Sequence, residues 1–303
     1  MTDLSGRRMA LAVDATPAVG AGHAMRVGTL AAAWLGLGGE VVAVGDVDLE
    51  FVRTRYAGLG IGLAPVGNPV CDVLVVDRYD VGQRSRMATS PGAVVRLLVD
   101  DLFAKVPAGY DAVWNPNPYA SAESYPTFDG LVLGGATMVP IREDLPPWQQ
   151  RLDGNVVVTF GGGRPSDVVI GAVGLLIQLM PRDRFAVAGD WAPAGCRRVE
   201  PEHLWREAAA AKCLVSAAGG TLWEAAATGI PMVAVAIVEN QMHAYRWARN
   251  VGIPGANAML IDGESLAHQL RALIPAAMIA PALTNGAGRV ATELARLVLG
   301  RSS

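Results

Sequence analysis

Apolar residues fall into short runs separated by stretches where they recur at helical spacing. In the first half the runs are 9–15 (MALAVDA), 40–46 (EVVAVGD), 71–77 (CDVLVVD), 94–100 (VVRLLVD) and 111–115 (DAVWN). Several are apolar on both faces and rich in valine, as strands of a parallel sheet covered on both sides should be. Helical spacing between them is clearest at 23–37 and 82–89. Residues 141–155 (IREDLPPWQQRLDGN) break the pattern with proline, aspartate and glutamine, and read as a linker. The alternation then restarts, with strands at 155–160, 184–189, 212–217 and 231–238 and helices at 166–179, 203–211 and 221–228. The fold class expected is α/β, with two doubly wound, Rossmann-like domains at 1–147 and 148–303 facing each other across a cleft. Ligands of such sheets bind beyond the carboxyl ends of the strands, so the cleft is the expected site.

Composition narrows the partners. The chain has 303 residues, 51% hydrophobic and 17% charged, with a net charge of −3, which fits a well-cored globular protein. No long basic run occurs, which argues against nucleic acid. The longest apolar runs, such as 231–238, fall far short of the ~20 residues of a membrane span. The N-terminal MTDLSGRRMALAVDA lacks the pattern of a signal peptide. Three widely spaced cysteines, Cys71, Cys196 and Cys213, point to a reducing cytoplasm and free buried thiols, with neither a disulfide framework nor a zinc site. The expectation is a cytoplasmic monomer or weak dimer that takes a small-molecule substrate and needs no cofactor or metal.

Three glycine loops follow strands: Gly20-Ala21-Gly22-His23, Gly161-Gly162-Gly163 and Gly219-Gly220-Thr221. Glycine lets backbone approach a ligand, and the N-terminus of the following helix favours phosphate. The first loop matches two glycines of the dinucleotide fingerprint G-x-G-x-x-G, but Met25 stands at the third, and Asp46 after the second strand reads as a ribose acid or a turn residue. In the third loop Thr221 is an N-cap or first-turn residue. Glu224, three positions on, either closes a capping box or accepts hydrogen bonds from ribose. Past the next strand, Glu239-Asn240-Gln241 forms a polar cluster suited to capping a helix or binding a ligand.

Six stretches occur together and in order: GAGHAMR (20–26), VVDRY (75–79), TFGGG (159–163), SAAGGTLWEAAATGIP (216–231), VENQ (238–241) and NGAGR (285–289). Over nearly the whole chain this set resembles the pseudaminic-acid pathway hydrolases, which act on UDP-2,4-diacetamido-2,4,6-trideoxy-altropyranose. That family is similar to the UDP-GlcNAc-dependent lipid II glycosyltransferases, and both have the GT-B fold. The resemblance implies that His23 is the general base that activates water, with Arg26, Asp77 and Tyr79 around it. It implies that Ala218, Gly219, Gly220, Thr221 and Glu224, with Gly22, Gly161 and Gly162, hold the diphosphate and ribose. Glu239, Asn240 and Gln241 would lie near the sugar or pyrophosphate, and His243 beside them would line the site. The chain departs from the family where Arg78 and Asp80 replace the His and Gly flanking the tyrosine, where Arg164 follows the second glycine loop, and where Asn285 opens the C-terminal motif.

The chemistry implied is cleavage of the anomeric C–O bond of a nucleoside-diphospho sugar by water, with histidine as base and a helix N-terminus receiving the leaving diphosphate. Arg26, three residues after His23 on the same helix, shares its face. Arg164 is a further candidate charge. Asp46/Asp48 and Asp100/Asp101 read as strand ends rather than a metal site. His203 reads as a surface residue and His268 as part of an amphipathic helix. Two other classes remain open: a GT-B glycosyltransferase using the same donor with a hydroxyl acceptor, and a catalytically inert nucleotide-sugar sensor. An NAD oxidoreductase is disfavoured by Met25.

Overall fold

The structure is a computed structural model, described here for residues 3–65, 67–151, 153–161 and 164–301. The chain divides into two compact units, Met1–Arg142 with Thr284–Ser303, and Glu143–Leu283.

The first unit carries a seven-stranded sheet: β1 (Arg8–Val13), β2 (Glu40–Val44), β3 (Gly62–Ala64), β4 (Cys71–Asp77), β5 (Ala93–Val99), β6 (Ala112–Trp114) and β7 (Leu131–Leu133). The order is β3-β2-β1-β4-β5-β6-β7, and neighbours pair in parallel. Three helices follow its strands, α1 (Gly22–Gly36), α2 (Glu50–Leu59) and α3 (Val81–Ala88). The two-residue period of a strand explains why the strands are apolar throughout. Met9, Leu11 and Val13 of β1 join one core with α1 and α2. Ala10 and Ala12 join the core on the other face, with Ala88 of α3.

The second unit repeats the plan with β8 (Val156–Thr159), β9 (Phe185–Ala188), β10 (Arg197–Val199), β11 (Cys213–Ala217), β12 (Met232–Ala236) and β13 (Gly255–Asn257). The order is β10-β9-β8-β11-β12-β13, again with parallel neighbours. Its helices are α4 (Asp167–Leu179), α5 (Leu204–Ala208), α6 (Gly220–Thr228), α7 (Met242–Asn250) and α8 (Gly263–Leu273). Ser166 and Asp262 start α4 and α8 by accepting backbone N–H groups of Val169 and Ser265. Valines of β8, β11 and β12 pack against Val173 and Leu176 of α4 and Leu266 and Leu270 of α8.

The second unit begins at Glu143 and ends at Leu283, where 148 and 303 were expected. Trp148 and Gln149 are held within it: their N–H groups donate to Thr228 and Ala209, and the Trp148 indole donates to the Ala211 carbonyl at 2.8 Å. The C-terminal helix α9 (Ala287–Arg301) returns to the first unit rather than closing the second. Its stripe Val290, Ala291, Leu294, Ala295 and Val298 completes the core shared with α1. The NGAGR segment fixes this return. Asn285 Oδ1 accepts the N–H groups of Ile141 and Ala287 at 3.2 and 3.0 Å. At Gly286 an added Cβ would lie 2.3 Å from the Thr137 carbonyl oxygen, so only glycine fits there. Among the described residues no helix is long and apolar enough to cross a membrane. The three cysteines are free; Cys71 and Cys213 are buried, while Cys196 is half-buried.

Candidate functional site

Each sheet reverses its winding once, between β1 and β4 in the first unit and between β8 and β11 in the second. In doubly wound sheets such switch points open a crevice beyond the carboxyl ends of the strands. The sequence motifs cluster at both.

At the first switch point, the loop after β1 enters α1 through Gly20, whose φ is +81°, and places His23 in the first turn of the helix. Asp77 is the last residue of β4 and pairs with Val13 of β1. His23 Nδ1 lies 2.6 Å from Asp77 Oδ1. Arg26, one turn along α1, donates Nε to Asp77 Oδ2 and Nη2 to Asp77 Oδ1, both at 2.7 Å. Asp77 is 2% exposed. Burial alone would raise its carboxyl, but Arg26 and His23 outweigh burial and hold it well below the usual carboxylate range.

That ionised state fixes the imidazole tautomer. A carboxylate only accepts, so a nitrogen at 2.6 Å must donate. Nδ1 therefore carries the proton, and the neutral ring keeps its lone pair on Nε2. The 3.1 Å approach of Arg26 Nη2 to Nδ1 is then a contact of two donors sharing one carboxylate oxygen. Nε2 has no hydrogen-bond partner among the described residues and is not one of the buried unpaired side-chain atoms, so it keeps access to solvent. Tyr79 stands edge-on to the imidazole, with ring centroids 4.5 Å apart, and the residue is 41% exposed. The four residues assigned around the base, His23, Arg26, Asp77 and Tyr79, thus converge.

A fifth member is missing from the sequence reading. Asp101, just past β5, accepts Arg26 Nη1 at 2.6 Å and the Tyr79 hydroxyl at 3.0 Å. Burial raises its carboxyl, yet Arg26 prevails and holds it ionised below the ordinary range. Burial and Asp101 together push the Tyr79 phenol up, so it remains a proton donor. The available signal was the Asp100-Asp101 pair ending a strand beside β4. Reading it as two strand-end residues missed that they diverge: Asp100, fully buried, pairs with Arg84 at 3.0 Å, while Asp101 turns to Arg26.

The departures beside Tyr79 have local structural roles. Arg78 is buried and donates to Asp14 Oδ1 at 2.9 Å. Asp80 is the N-cap of α3, accepting the Gln83 N–H at 2.6 Å. Asp46 is exposed and serves the turn through its backbone, which donates to Asp14 and accepts from Ala15.

At the second switch point, the loops after β8, β11 and β12 lie side by side, because these strands are neighbours. Gly161 adopts φ +88° with open space where a Cβ would stand. Gly162 and Gly163 lie outside the described residues. Helix α6 begins one residue earlier than expected, with Gly219 as N-cap and Gly220 as its first residue. No side chain caps it, so the capping box of Thr221 and Glu224 does not form and Thr221 sits in the first turn. The cause is the N-cap residue itself: Gly219 has no side chain to cap with, so among the described residues the N–H groups of Gly220 and Thr221 carry no hydrogen bond, while Leu222 donates to the Gly219 carbonyl at 2.9 Å. Cβ atoms added at Gly219 or Gly220 would meet nothing within 4 Å. Ala218 is tied back by its N–H to the Val235 carbonyl. Glu239, Asn240 and Gln241 form a single helical turn after β12, with Glu239 and Asn240 exposed. Gln241 engages its side-chain oxygen with the Ile237 N–H at 2.9 Å, so part of this cluster holds its own loop. His243 is exposed at the start of α7. Arg164 is exposed and pairs with Asp167 at 3.4 Å. His203 and His268 are exposed.

No protein-family profile matches this chain, and no curated protein matches it by sequence. Solved structures do match its fold. A putative UDP-N-acetylglucosamine 2-epimerase from Listeria monocytogenes aligns with a TM-score of 0.64 at 11% identity, over 97% of this chain and 95% of that one. MurG of Acinetobacter baumannii aligns with a TM-score of 0.62 at 13% identity, over 95% and 99%. The spinosyn rhamnosyltransferase SpnG complexed with thymidine diphosphate aligns with a TM-score of 0.58 at 15% identity, over 97% and 96%. These likenesses, with the two parallel sheets and their alternating helices, assign the chain the GT-B fold.

Proposed function

We propose that the protein hydrolyses a nucleoside-diphospho sugar at its anomeric carbon, with His23 as general base. The observation that carries this reading is the 2.6 Å contact of His23 Nδ1 with an ionised, buried Asp77, which leaves Nε2 as the proton acceptor. In the proposed step the oxygen of water bonds to C1 and the C1–O bond to the diphosphate breaks. The electron pair leaves with the nucleoside diphosphate, and the water proton passes to Nε2. Asp77 orients the imidazole and stabilises the imidazolium that forms.

The uncapped first turn of α6 is the proposed seat of the diphosphate, because the Gly220 and Thr221 N–H groups and the helix dipole favour negative charge. Glu224 on the same helix is proposed to meet the ribose, and Glu239, Asn240 and His243 the sugar or pyrophosphate. Neighbours of the same fold that carry thymidine diphosphate or are described as acting on UDP-N-acetylglucosamine support a nucleotide-sugar ligand.

The test is incubation with a panel of UDP- and TDP-sugars without any acceptor. Release of nucleoside diphosphate and free sugar at enzymatic turnover is the expected result. Turnover that requires an added hydroxyl acceptor would make the protein a glycosyltransferase on the same donor instead.

A further inference from the structure

Arg26 is shared between two carboxylates. Nε and Nη2 make a two-point contact with Asp77, and Nη1 reaches Asp101 Oδ2 at 2.6 Å. Both carboxyl side chains are largely enclosed, 1% and 19% exposed. Among the described residues Arg26 is the one arginine or lysine paired with either of them.

Charge balance gives this sharing a consequence. With Asp77 alone, the two-point contact to Arg26 would cancel the carboxylate beside His23. A protonated imidazole would then face an already neutral pair. With Asp101 present, two carboxylates share one guanidinium, and the buried group keeps one unit of negative charge while His23 is neutral. Proton uptake by His23 brings the group to zero. A proton transferred to His23 is therefore held against a net negative group, where without Asp101 it would face a neutral pair.

We propose that Asp101 is an electrostatic positioning residue: by drawing on Arg26 it keeps Asp77 from being cancelled and so lets His23 accept a proton. The significance for catalysis rests on the base role proposed above for His23; the charge relation itself does not. The other ionisable groups near the imidazole do not supply this charge. Tyr79 donates its hydroxyl to Asp101. Tyr56 of α2, which donates to the Ala24 carbonyl, and Tyr119 after β6 are both driven up chiefly by burial and stay neutral.

The experiment follows the imidazole resonances of the four histidines by NMR as pH is varied, in the substrate-free protein. Wild type is compared with Asp101→Asn, Asp101→Ser and Asp101→Glu, with thermal melts confirming the fold. In Asp101→Asn and Asp101→Ser, His23 is expected to bind its proton about tenfold less tightly. Asp101→Glu, which keeps the charge, should stay near wild type. Two neutral variants of different shape separate charge from geometry and keep the test open if one fails to fold. An unchanged His23 titration in either folded neutral variant overturns the proposal. A shifted titration in protein that turns over no nucleotide sugar upholds the role of Asp101 while removing the base assignment.

Discussion

His23 and Asp77, 54 positions apart in the chain, meet through a 2.6 Å contact between Nδ1 and Oδ1. One comes from the first turn after β1 and the other from the end of β4, so the pair spans the point where the first sheet reverses its winding. The carboxylate fixes which ring nitrogen holds the proton, and that choice makes the other nitrogen a base.

Removing the imidazole should therefore remove chemistry rather than binding. His23→Ala is expected to lower kcat by about 10²–10⁴-fold with KM changed little. Steady-state kinetics on the nucleoside-diphospho sugar turned over by wild type checks this. Wild-type kcat in the variant would remove His23 from the mechanism.

Asp77→Asn should cost stability, because it leaves Arg26 with half its anionic partners in a buried site. About 2–4 kcal/mol is expected near neutral pH. The folded-state carboxyl is held below its ordinary value near ~3.9, so its contribution is complete above that value and fades as pH falls below it. Urea melts of the two proteins should therefore differ most near neutral pH and converge on acidification below about pH 4. A constant gap across that range would contradict the assignment.

The open first turn of α6 offers a substitution whose effects on folding and binding have opposite signs. Gly220→Asp places a carboxylate where space is free, at the positive end of the helix dipole. Stability should hold or rise by about 0.3–1 kcal/mol. KM for the nucleotide sugar, or Kd for a nucleoside diphosphate, should rise about tenfold or more, because the new charge occupies the phosphate position. Thermal melts and calorimetric titration read the two effects separately.

Two glycines of NGAGR should behave differently. Gly286→Ala forces a Cβ against the Thr137 carbonyl oxygen and should destabilise by about 1–3 kcal/mol. Gly288→Ala, exposed in α9 with nothing near its added Cβ, should be neutral or stabilising by up to about 1 kcal/mol. Chemical denaturation of both variants checks the contrast.

Long apolar runs were legible in the sequence because both faces of each sheet are covered. The run at 71–77 coincides with β4, and the α1 and α4 boundaries shift by one residue. Of the five three-residue strands among the described residues, only β6 falls in a run read from the sequence, 111–115; β3, β7, β10 and β13 are too short to show a period. The return of α9 to the first unit depends on Gly286 meeting Thr137 and on Asn285 meeting Ile141, contacts between segments far apart in sequence. His23, Arg26, Asp77 and Tyr79 were grouped through the family resemblance, whose motifs are local stretches of sequence. Asp101 joins them only because β5 lies beside β4, and that adjacency is a property of strand order.

The most direct measurement of the central claim is hydrolysis of a nucleoside-diphospho sugar in ¹⁸O-labelled water with no acceptor present, followed by mass spectrometry of both products. Attack on the anomeric carbon by water activated at His23 places the label in the free sugar and none in the nucleoside diphosphate, with turnover lost in His23→Ala. Label in the nucleoside diphosphate, or turnover undiminished without the imidazole, would contradict it.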